Sequence, residues 1–417
     1  MRAMKDSGVE WIGEIPQEWE RTKIKHIYRV IIGNGFPDTL QGNEFGELPF
    51  LKVSDINGDV RNIAKGNNYV SHLIARENRW NIIPPGSILM AKIGAALAKN
   101  HRKINTVDCI IDNNMQAAVK KDNTVHNAFG FHLWTLIDMT LYDNGGTVPS
   151  INNFRLLNQE IYIPSRDDQI RIADFLDAKC SKIESIIELQ RISIEKLKSY
   201  KQTVISEAVT KGLNSDVPMK DSGVEWIGKI PVHWNIKRLK YCFKNLDSFR
   251  KPVNASQRTQ VGDMLYDYYG ASGAIDKIDD YIFDETSLLI AEDGANLLLR
   301  NLPLIYIATG KYWVNNHAHI LKPLIENCLY FMANQMEIID YTNYITGSAQ
   351  PKLSQSNINN VPLVAPPLSE QKSIADFLDA KCAAIDNAIG KKESLIDKLT
   401  AYKKSLIYES VTGKIEV

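Results

Sequence analysis

The sequence lacks net charge: 49 Lys and Arg balance 49 Asp and Glu over 417 residues. A chain without excess positive charge is not an indiscriminate polyanion binder, so any nucleic-acid role must rest on local charge. Long hydrophobic runs are missing too. No stretch approaches the roughly 18 apolar residues of a membrane span, and the start carries no apolar segment of a secretory signal. Cysteine is scarce and scattered: Cys109, Cys180, Cys242, Cys328 and Cys382 form no C-x-x-C pair. An odd, dispersed set fits a reducing cytoplasm, the expected location, better than a disulfide framework or a zinc site. The apolar fraction of 44% and charged fraction of 24% are those of an ordinary globular chain.

Catalytic motifs are equally absent. A base-flipping amino-methyltransferase needs a [D/N]-P-P-[Y/F] turn. The two Pro-Pro pairs here stand in Ile83-Pro84-Pro85-Gly86 and Ala365-Pro366-Pro367-Leu368, without the polar acceptor or the stacking aromatic. Gly33-Asn34-Gly35 is too short for a dinucleotide fingerprint, and no phosphate-binding G-x-x-x-x-G-K-[S/T] occurs. Asp55 and Asp293-Gly294 lack the companion acids and lysine of a nuclease centre, and the eight histidines form no H-x-x-x-H pair. The sequence therefore assigns no catalytic residue, no metal ligand and no cofactor.

Two local absences are informative. From Asn78 to Val107 there is no acid, while Arg79, Lys92, Lys99, His101, Arg102 and Lys103 fall there. From Asn235 to Arg258 seven bases (Lys237, Arg238, Lys240, Lys244, Arg250, Lys251, Arg258) face one acid, Asp247. Positive tracts of this kind neutralise phosphates when they lie on one face. Proline and glycine are absent from Asp167 to Thr210, where Leu176, Ile183, Ile187, Ile194, Leu197, Tyr200 and Val204 form a stripe. Steps of three, four and seven describe one face of a helix about 65 Å long. The stripe recurs as Leu378, Ile385, Ile389, Ile396, Leu399, Tyr402 and Leu406, and each helix is the other's nearest partner for an antiparallel seam. Gly212 ends the first helix, and residues 214–218 form a linker.

What is present is present twice. Residues 4–13, Met-Lys-Asp-Ser-Gly-Val-Glu-Trp-Ile-Gly, recur at 219–228, followed by Ile15-Pro16 and Trp19 as Ile230-Pro231 and Trp234. Ile172 to Cys180 returns unchanged as Ile374 to Cys382. A period of about 200 residues means two whole domains, not a solenoid. The inserts between these blocks are almost unrelated, yet both read as mixed α/β. Residues 48–58, 82–94, 287–294 and 304–308 read as strands with turns. Both inserts also end alike, on residues 148–152 with 161–164 and on 350–354 with 361–366.

The D-S-G-V-E-W-I-G-x-I-P-x-x-W opening and the Q-x-x-I-A-D-F-L-D-A-K helix start, each in duplicate around divergent inserts, closely resemble the specificity subunit of type I restriction-modification enzymes. Pro164-Ser165-Arg166-Asp167-Asp168-Gln169 departs from the family's P-P-L-S-E-Q, which the second copy keeps at 366–371. The resemblance implies two target recognition domains, each reading half of a split site on double-stranded DNA, separated by two long antiparallel coiled-coil helices in a pseudo-two-fold repeat. On that reading residues 1–164 hold the first signature and recognition domain, and 165–213 the central spacer helix. Residues 214–366 hold the second signature and domain, and 367–417 the distal helix. The implied partners are two methyltransferase subunits docked on the helices and, through them, restriction subunits. Methylation and ATP-dependent cleavage would belong to those partners, and helix length would set the gap between half-sites. A tandem coiled-coil adaptor that binds only protein is the alternative, but it gives no reason to localise positive charge in both inserts. A self-contained methyltransferase is disfavoured by the missing motifs.

Candidate DNA-reading residues are polar groups at strand ends and loops of the inserts. In the first these are Lys52, Ser54, Asn57, Lys92, Lys99, Asn100, His101, Arg102, Lys103, Asn113, Asn114 and Gln116. In the second they are Tyr268, Tyr269, Ser272, Lys277, Asn296, Asn315, Asn316, His317, Gln350 and Lys352. Arg and Lys suit guanine edges and phosphates, and Asn and Gln suit adenine edges.

Overall fold

Each copy of the signature folds the same way. Asp6 Oδ1 accepts the Gly8 N–H at 2.9 Å and Ser7 Oγ accepts the Val9 N–H at 3.1 Å, with Gly8 at φ +66°. Asp221, Ser222 and Gly223 repeat this at 2.9 and 3.1 Å with φ +71°. A left-handed residue inside an Asx turn is where glycine costs least. The turn folds Met4–Asp6 antiparallel onto Glu14–Pro16, and Met219–Asp221 onto Lys229–Pro231. Ile12, Ile15 and Trp19, and likewise Ile227, Ile230 and Trp234, drop into a core.

The computed structural model describes residues 2–58, 60–254, 264–293, 296–347 and 350–417. The chain divides into Met1–Leu189 with Leu395–Val417, and Gln190–Ser394. This division crosses both long helices, because the first half of each packs with one unit and its second half with the other. Among the described residues, no helix is long and apolar enough to cross a membrane.

Within each unit the strand after the signature closes on the strand that ends the insert. Glu20–Lys23 pairs antiparallel with Glu160–Ile163, and Asn235–Arg238 with Pro362–Ala365. The divergent inserts then build one sheet order. In the first unit it runs Tyr28–Ile32, Met115–Lys120, Ile88–Ala91, Arg102–Asn105, all antiparallel, with Asn62–Ile63 added in parallel at the edge. In the second it runs Phe243–Asn245, Ala318–Pro323, Ser287–Ala291, Ile305–Ala308, again antiparallel. Residues 88–91 and 287–291 are buried throughout, which is why those strands read as unbroken rather than alternating apolar runs. The helices Asn127–Leu136 and Leu329–Ile338 pack on the fourth strand of their sheets. A smaller sheet differs between units: three strands (Ile110–Ile111, Leu48–Leu51, Tyr69–Val70) in the first and four (Gly273–Ile278, Tyr266–Gly270, Lys311–Val314, Phe283–Asp284) in the second.

The long helices span Arg166–Lys211 and Leu368–Val411. Despite the altered sequence at its start, the first is capped by Ser165, whose Oγ accepts the Asp168 N–H at 3.2 Å and donates to Asp168 Oδ2 at 2.8 Å. Gln169 and Gln371 do the same work in each copy. Gln169 Oε1 accepts the His126 N–H at 2.8 Å and Nε2 donates to the Pro164 carbonyl at 3.0 Å. Gln371 takes the Cys328 N–H at 3.0 Å and holds the Pro366 carbonyl at 2.9 Å. Each glutamine thereby ties the start of a long helix to the residue just before the short helix that packs on the sheet of its unit. Gly212, at φ +78°, ends the first helix.

The seam runs antiparallel. In the second unit Lys392 Nζ bonds Gln190 Oε1 at 3.0 Å and Lys201 Nζ bonds Asp386 at 2.6 Å, so one number rises as the other falls. In the first unit Leu176, Ile183 and Ile187 share a core with Leu406, Ile407 and Val411, flanked by Ile396 and Leu399, and Lys403 pairs with Glu184. In the second unit Ile205 and Val209 meet Ile374 and Leu378. Ile194 and Ile385 are buried, while Leu197 and Ile389 are half-buried. Tyr200 and Tyr402, read as part of the stripe, are instead 48% and 56% exposed.

Candidate nucleic-acid interface

The common sheet brings the same chain segments to one corner in each unit. The Leu51 carbonyl accepts the Asp112 N–H at 2.9 Å, and the Tyr269 carbonyl accepts the Asn315 N–H at 3.0 Å. Asp112 Oδ1 takes the Asn114 N–H at 2.9 Å, as Asn315 Oδ1 takes the His317 N–H at 2.8 Å. The Asn114 carbonyl accepts the Lys92 N–H at 2.7 Å, and the His317 carbonyl accepts the Glu292 N–H at 2.9 Å. The Lys92 carbonyl then accepts the Ile151 N–H at 3.0 Å, and the Glu292 carbonyl the Leu353 N–H at 2.7 Å. An Asx turn, a strand end and a returning loop thus converge twice. The loops leave from Asp143 and Ile345 and come back through Ile151 and Leu353, with Gly145 at φ +75° and Gly347 at φ +88°.

Most of the residues singled out in the sequence surround these corners. In the first unit Asn113 and Asn114 are exposed on the turn, and Lys92 is half-buried at the strand end. Lys52 follows Leu51 directly, bonds Gln41 Oε1 at 2.7 Å and lies 5.2 Å from the Phe36 ring centroid. Ser54 and Asn57 are exposed on the turn that continues from Lys52. Lys99 is exposed on the connection that leaves the same sheet end, beside half-buried His101. Burial pushes the Asp112 carboxyl upward, against the Asn114 N–H and the Lys52 charge.

The second corner has different chemistry. Asn316, His317, Gln350 and Lys352 are exposed, Tyr269 is half-buried, and Ser272 is exposed on the turn between Tyr266–Gly270 and Gly273–Ile278. His317 Nδ1 lies 3.0 Å from Asp293 Oδ2, and Lys352 Nζ lies 2.9 Å from Glu292 Oε1. Behind them Arg250 pairs with Glu292 and lies 3.7 Å from Asp247, and His319 Nδ1 lies 2.5 Å from Asp247 Oδ2. Burial drives the Glu292 carboxyl up, but hydrogen bonds from Arg250 and Lys352 outweigh it and leave it below the usual carboxylate range. Asp247 is lowered in the same way, with His319 and the Ile320 N–H outweighing its burial. Asp247, Glu292 and His319 are close enough together to hold a cation. Their oxygens and ring nitrogens, however, are already engaged by Arg250, Lys352, the Ile320 N–H and the Leu353 carbonyl. Sequence reasoning missed this network, because its members lie up to about a hundred residues apart and each alone resembles ordinary surface charge.

Several expected contact residues are taken up by the fold instead. Arg102 is buried, donating to Asn100 Oδ1 at 2.8 Å, to the His101 carbonyl at 2.8 Å and to the Ile137 carbonyl at 3.3 Å, and burial lowers its pKa to about 9. It closes the C-terminal end of the helix Asn127–Leu136, where a cation is favoured. Arg300 reaches the matching Ile339 carbonyl in the second unit. Lys103 is buried, donating to the Val60 carbonyl and to that of Gly58 at 3.0 Å. Asn100, at φ +52°, accepts the Met139 N–H at 3.2 Å, and Asn296 closes a turn onto the Leu302 N–H at 2.9 Å. The Tyr268 hydroxyl meets the Val253 N–H at 3.0 Å, and Asn315 is the buried pivot of its turn. Gln116 is fully buried, and Lys277 pairs with Asp267 at 2.7 Å at the far end of its strand. The acid-free tract of the first insert is therefore a surface at Arg79 and Lys99 only, with Lys92 half-exposed. In the second tract Lys237, Arg238, Lys240, Lys244 and Lys251 are exposed and Arg250 is consumed internally, while Arg258 and Gly294 lie outside the described residues.

The family model described as "Type I restriction modification DNA specificity domain" matches residues 16–196 and again 231–396. A putative type I restriction enzyme specificity subunit of Haemophilus influenzae is 32% identical over 152 residues, which is 36% of this chain and 38% of that protein. The MjaIX specificity subunit of Methanocaldococcus jannaschii is 24% identical over 443 aligned positions, 97% of this chain and 95% of that one. Among solved structures, a chain from work on complex assembly and conformational transition of the type I R-M system superposes with a TM-score of 0.72 at 14% identity, covering 96% of this chain and 99% of that chain. The HsdS subunit from Thermoanaerobacter tengcongensis gives 0.50 at 15% identity, covering 96% and 98%. At such identities the structural likeness speaks to the fold.

Proposed function

Because this chain belongs to the type I restriction-modification DNA specificity family, we propose that its two corners read the two halves of one asymmetric, bipartite site on double-stranded DNA. One observation carries the reading: two inserts with almost unrelated sequences build the same corner, from the same strand ends and the same returning loop. Like frames with unlike surfaces suit two different half-sites, as identical half-sites suit a symmetric dimer. Asn113 and Asn114 in the first unit, and Asn316, His317, Gln350 and Lys352 in the second, carry donors and acceptors that fit base edges. Lys52, Lys92 and Lys99 supply charge for phosphates.

The chain itself is non-catalytic on this reading. Methylation belongs to two methyltransferase subunits seated on the long helices, and ATP-dependent cleavage to restriction subunits held through them. Tyr200 and Tyr402, at equivalent positions on the two helices and both exposed, offer apolar surface for that seating. The test is to purify the chain with and without co-expressed methyltransferase subunits and assay methyl transfer from S-adenosylmethionine to plasmid DNA. The complex should methylate one split motif and the chain alone should not. Methylation by the chain alone would refute the assignment, and a stable complex without any sequence preference would favour a protein adaptor.

A further inference from the structure

Among the polar side chains buried in the two sheets, one pair stands at matching positions. Gln116 is 0% and His319 1% exposed. They occupy the same place: Gln116 pairs with Met90 and His319 with Ile290, one step beyond the pairs Met115–Ala91 and Ala318–Ala291. A buried polar group costs stability unless it is hydrogen-bonded, and an apolar residue would fill either position without that cost. Two unlike polar residues at one position of two diverged inserts therefore call for a reason.

Their bonds supply one. Gln116 Oε1 accepts from Asn153 Nδ2 at 3.0 Å, and Asn153 opens the short helix Asn153–Leu157 directly after the first loop returns. His319 Nε2 meets the Leu353 carbonyl at 2.7 Å, one residue before Ser354, which caps the matching helix Gln355–Asn359. Each strand thus grips the returning end of its own corner loop. In the second unit the grip extends through Asp247, Arg250 and Glu292 to Lys352 in the loop.

Resting on the corner reading above, we propose that Gln116 and His319 are positioning residues for base discrimination, each holding one loop and so governing one half-site. They touch no DNA and act through the loop they hold.

The experiment is to assemble each full-length variant with methyltransferase subunits, let it methylate a plasmid library of randomised sequence, and read modified sites by sequencing. Gln116→Met removes the bond to Asn153 while filling the same volume. It should fold normally and relax base preference about tenfold in one half-site only. Asn153→Ala removes the same bond from the loop side and should relax the same half, which keeps the test open if Gln116→Met misfolds. His319→Asn places its amide near Nδ1 and loses the Leu353 carbonyl, so it should relax the other half. His319→Gln places a donor near Nε2 and should retain the motif. A purely structural histidine would be damaged by both substitutions alike. Unchanged motifs in folded Gln116→Met and His319→Asn enzymes, or both halves relaxing together, would overturn the inference. Asn114→Ala and His317→Ala separate it from the reading beneath: if neither alters the motif, the corners themselves are not the readers.

Discussion

Arg102 and Lys99 stand three residues apart in one basic tract and have opposite fates. The sequence shows their charge but not its direction, because burial of Arg102 depends on helix 127–136 ending beside it with open carbonyls. Arg102→Ala should therefore lower unfolding stability by about 1–3 kcal/mol, since it leaves buried acceptors unpaired. Lys99→Ala should stay within about 0.5 kcal/mol of the parent in urea melts yet reduce the salt dependence of DNA binding by the assembled enzyme. Equal loss of stability in both would contradict this division. Asn113 and Asn114, by contrast, stay exposed on an Asx turn closed by Asp112, a local feature of the chain that needs no tertiary partner. Glu292 bears a pH consequence. Its carboxyl and that of Asp247 are lower in the folded chain than usual, so their stabilisation is complete above the unfolded values, about 4, and is lost as pH falls through the lower folded ones. Glu292→Gln should flatten the fall in stability of the folded chain below about pH 5, which acid titration followed by circular dichroism measures; an unaltered acid limb would contradict the coupling.

At the scale of elements, the long helices, the buried strands 88–91 and 287–291 and the strand 305–308 were readable from periodicity and apolar runs. The strand order was not. Tyr28–Ile32 and Met115–Lys120 are neighbours in the sheet but lie far apart in the chain, and the inserts share almost no sequence from which to align them. The seam shows the limit of pattern from the other side. Tyr200 and Tyr402 continue the stripe by spacing but fall outside the buried face, because the stripe drifts around the helix over its length. Leu176→Ala should cost about 2–5 kcal/mol, as expected for a filled core position. The paired change Tyr200→Ala with Tyr402→Ala should leave the melting temperature nearly unaltered and weaken capture of methyltransferase subunits in size-exclusion chromatography. Intact capture would move the docking surface elsewhere on the helices.

For the whole molecule, the two-part organisation was legible in the duplicated signature, since identical blocks demand identical local folds. The signature could not reveal that each unit holds parts of both long helices: within the first unit Tyr408 donates to the Ile12 carbonyl at 3.0 Å, although they stand at opposite ends of the chain. Nor could it reveal that both inserts present one corner, since that depends on register rather than residue identity. The central claim, one corner for each half-site, is tested most directly by replacing the second insert, residues 239–361, with a copy of the first, residues 24–159. Both inserts begin and end on the same paired frame strands. The hybrid, assembled with methyltransferase subunits, is then given a randomised plasmid library and its methylated motif is sequenced. The account predicts a motif whose two halves carry the same bases, those of the half-site that the first insert reads in the parent enzyme. A folded, assembled hybrid that still requires the original bases of the second half would contradict it.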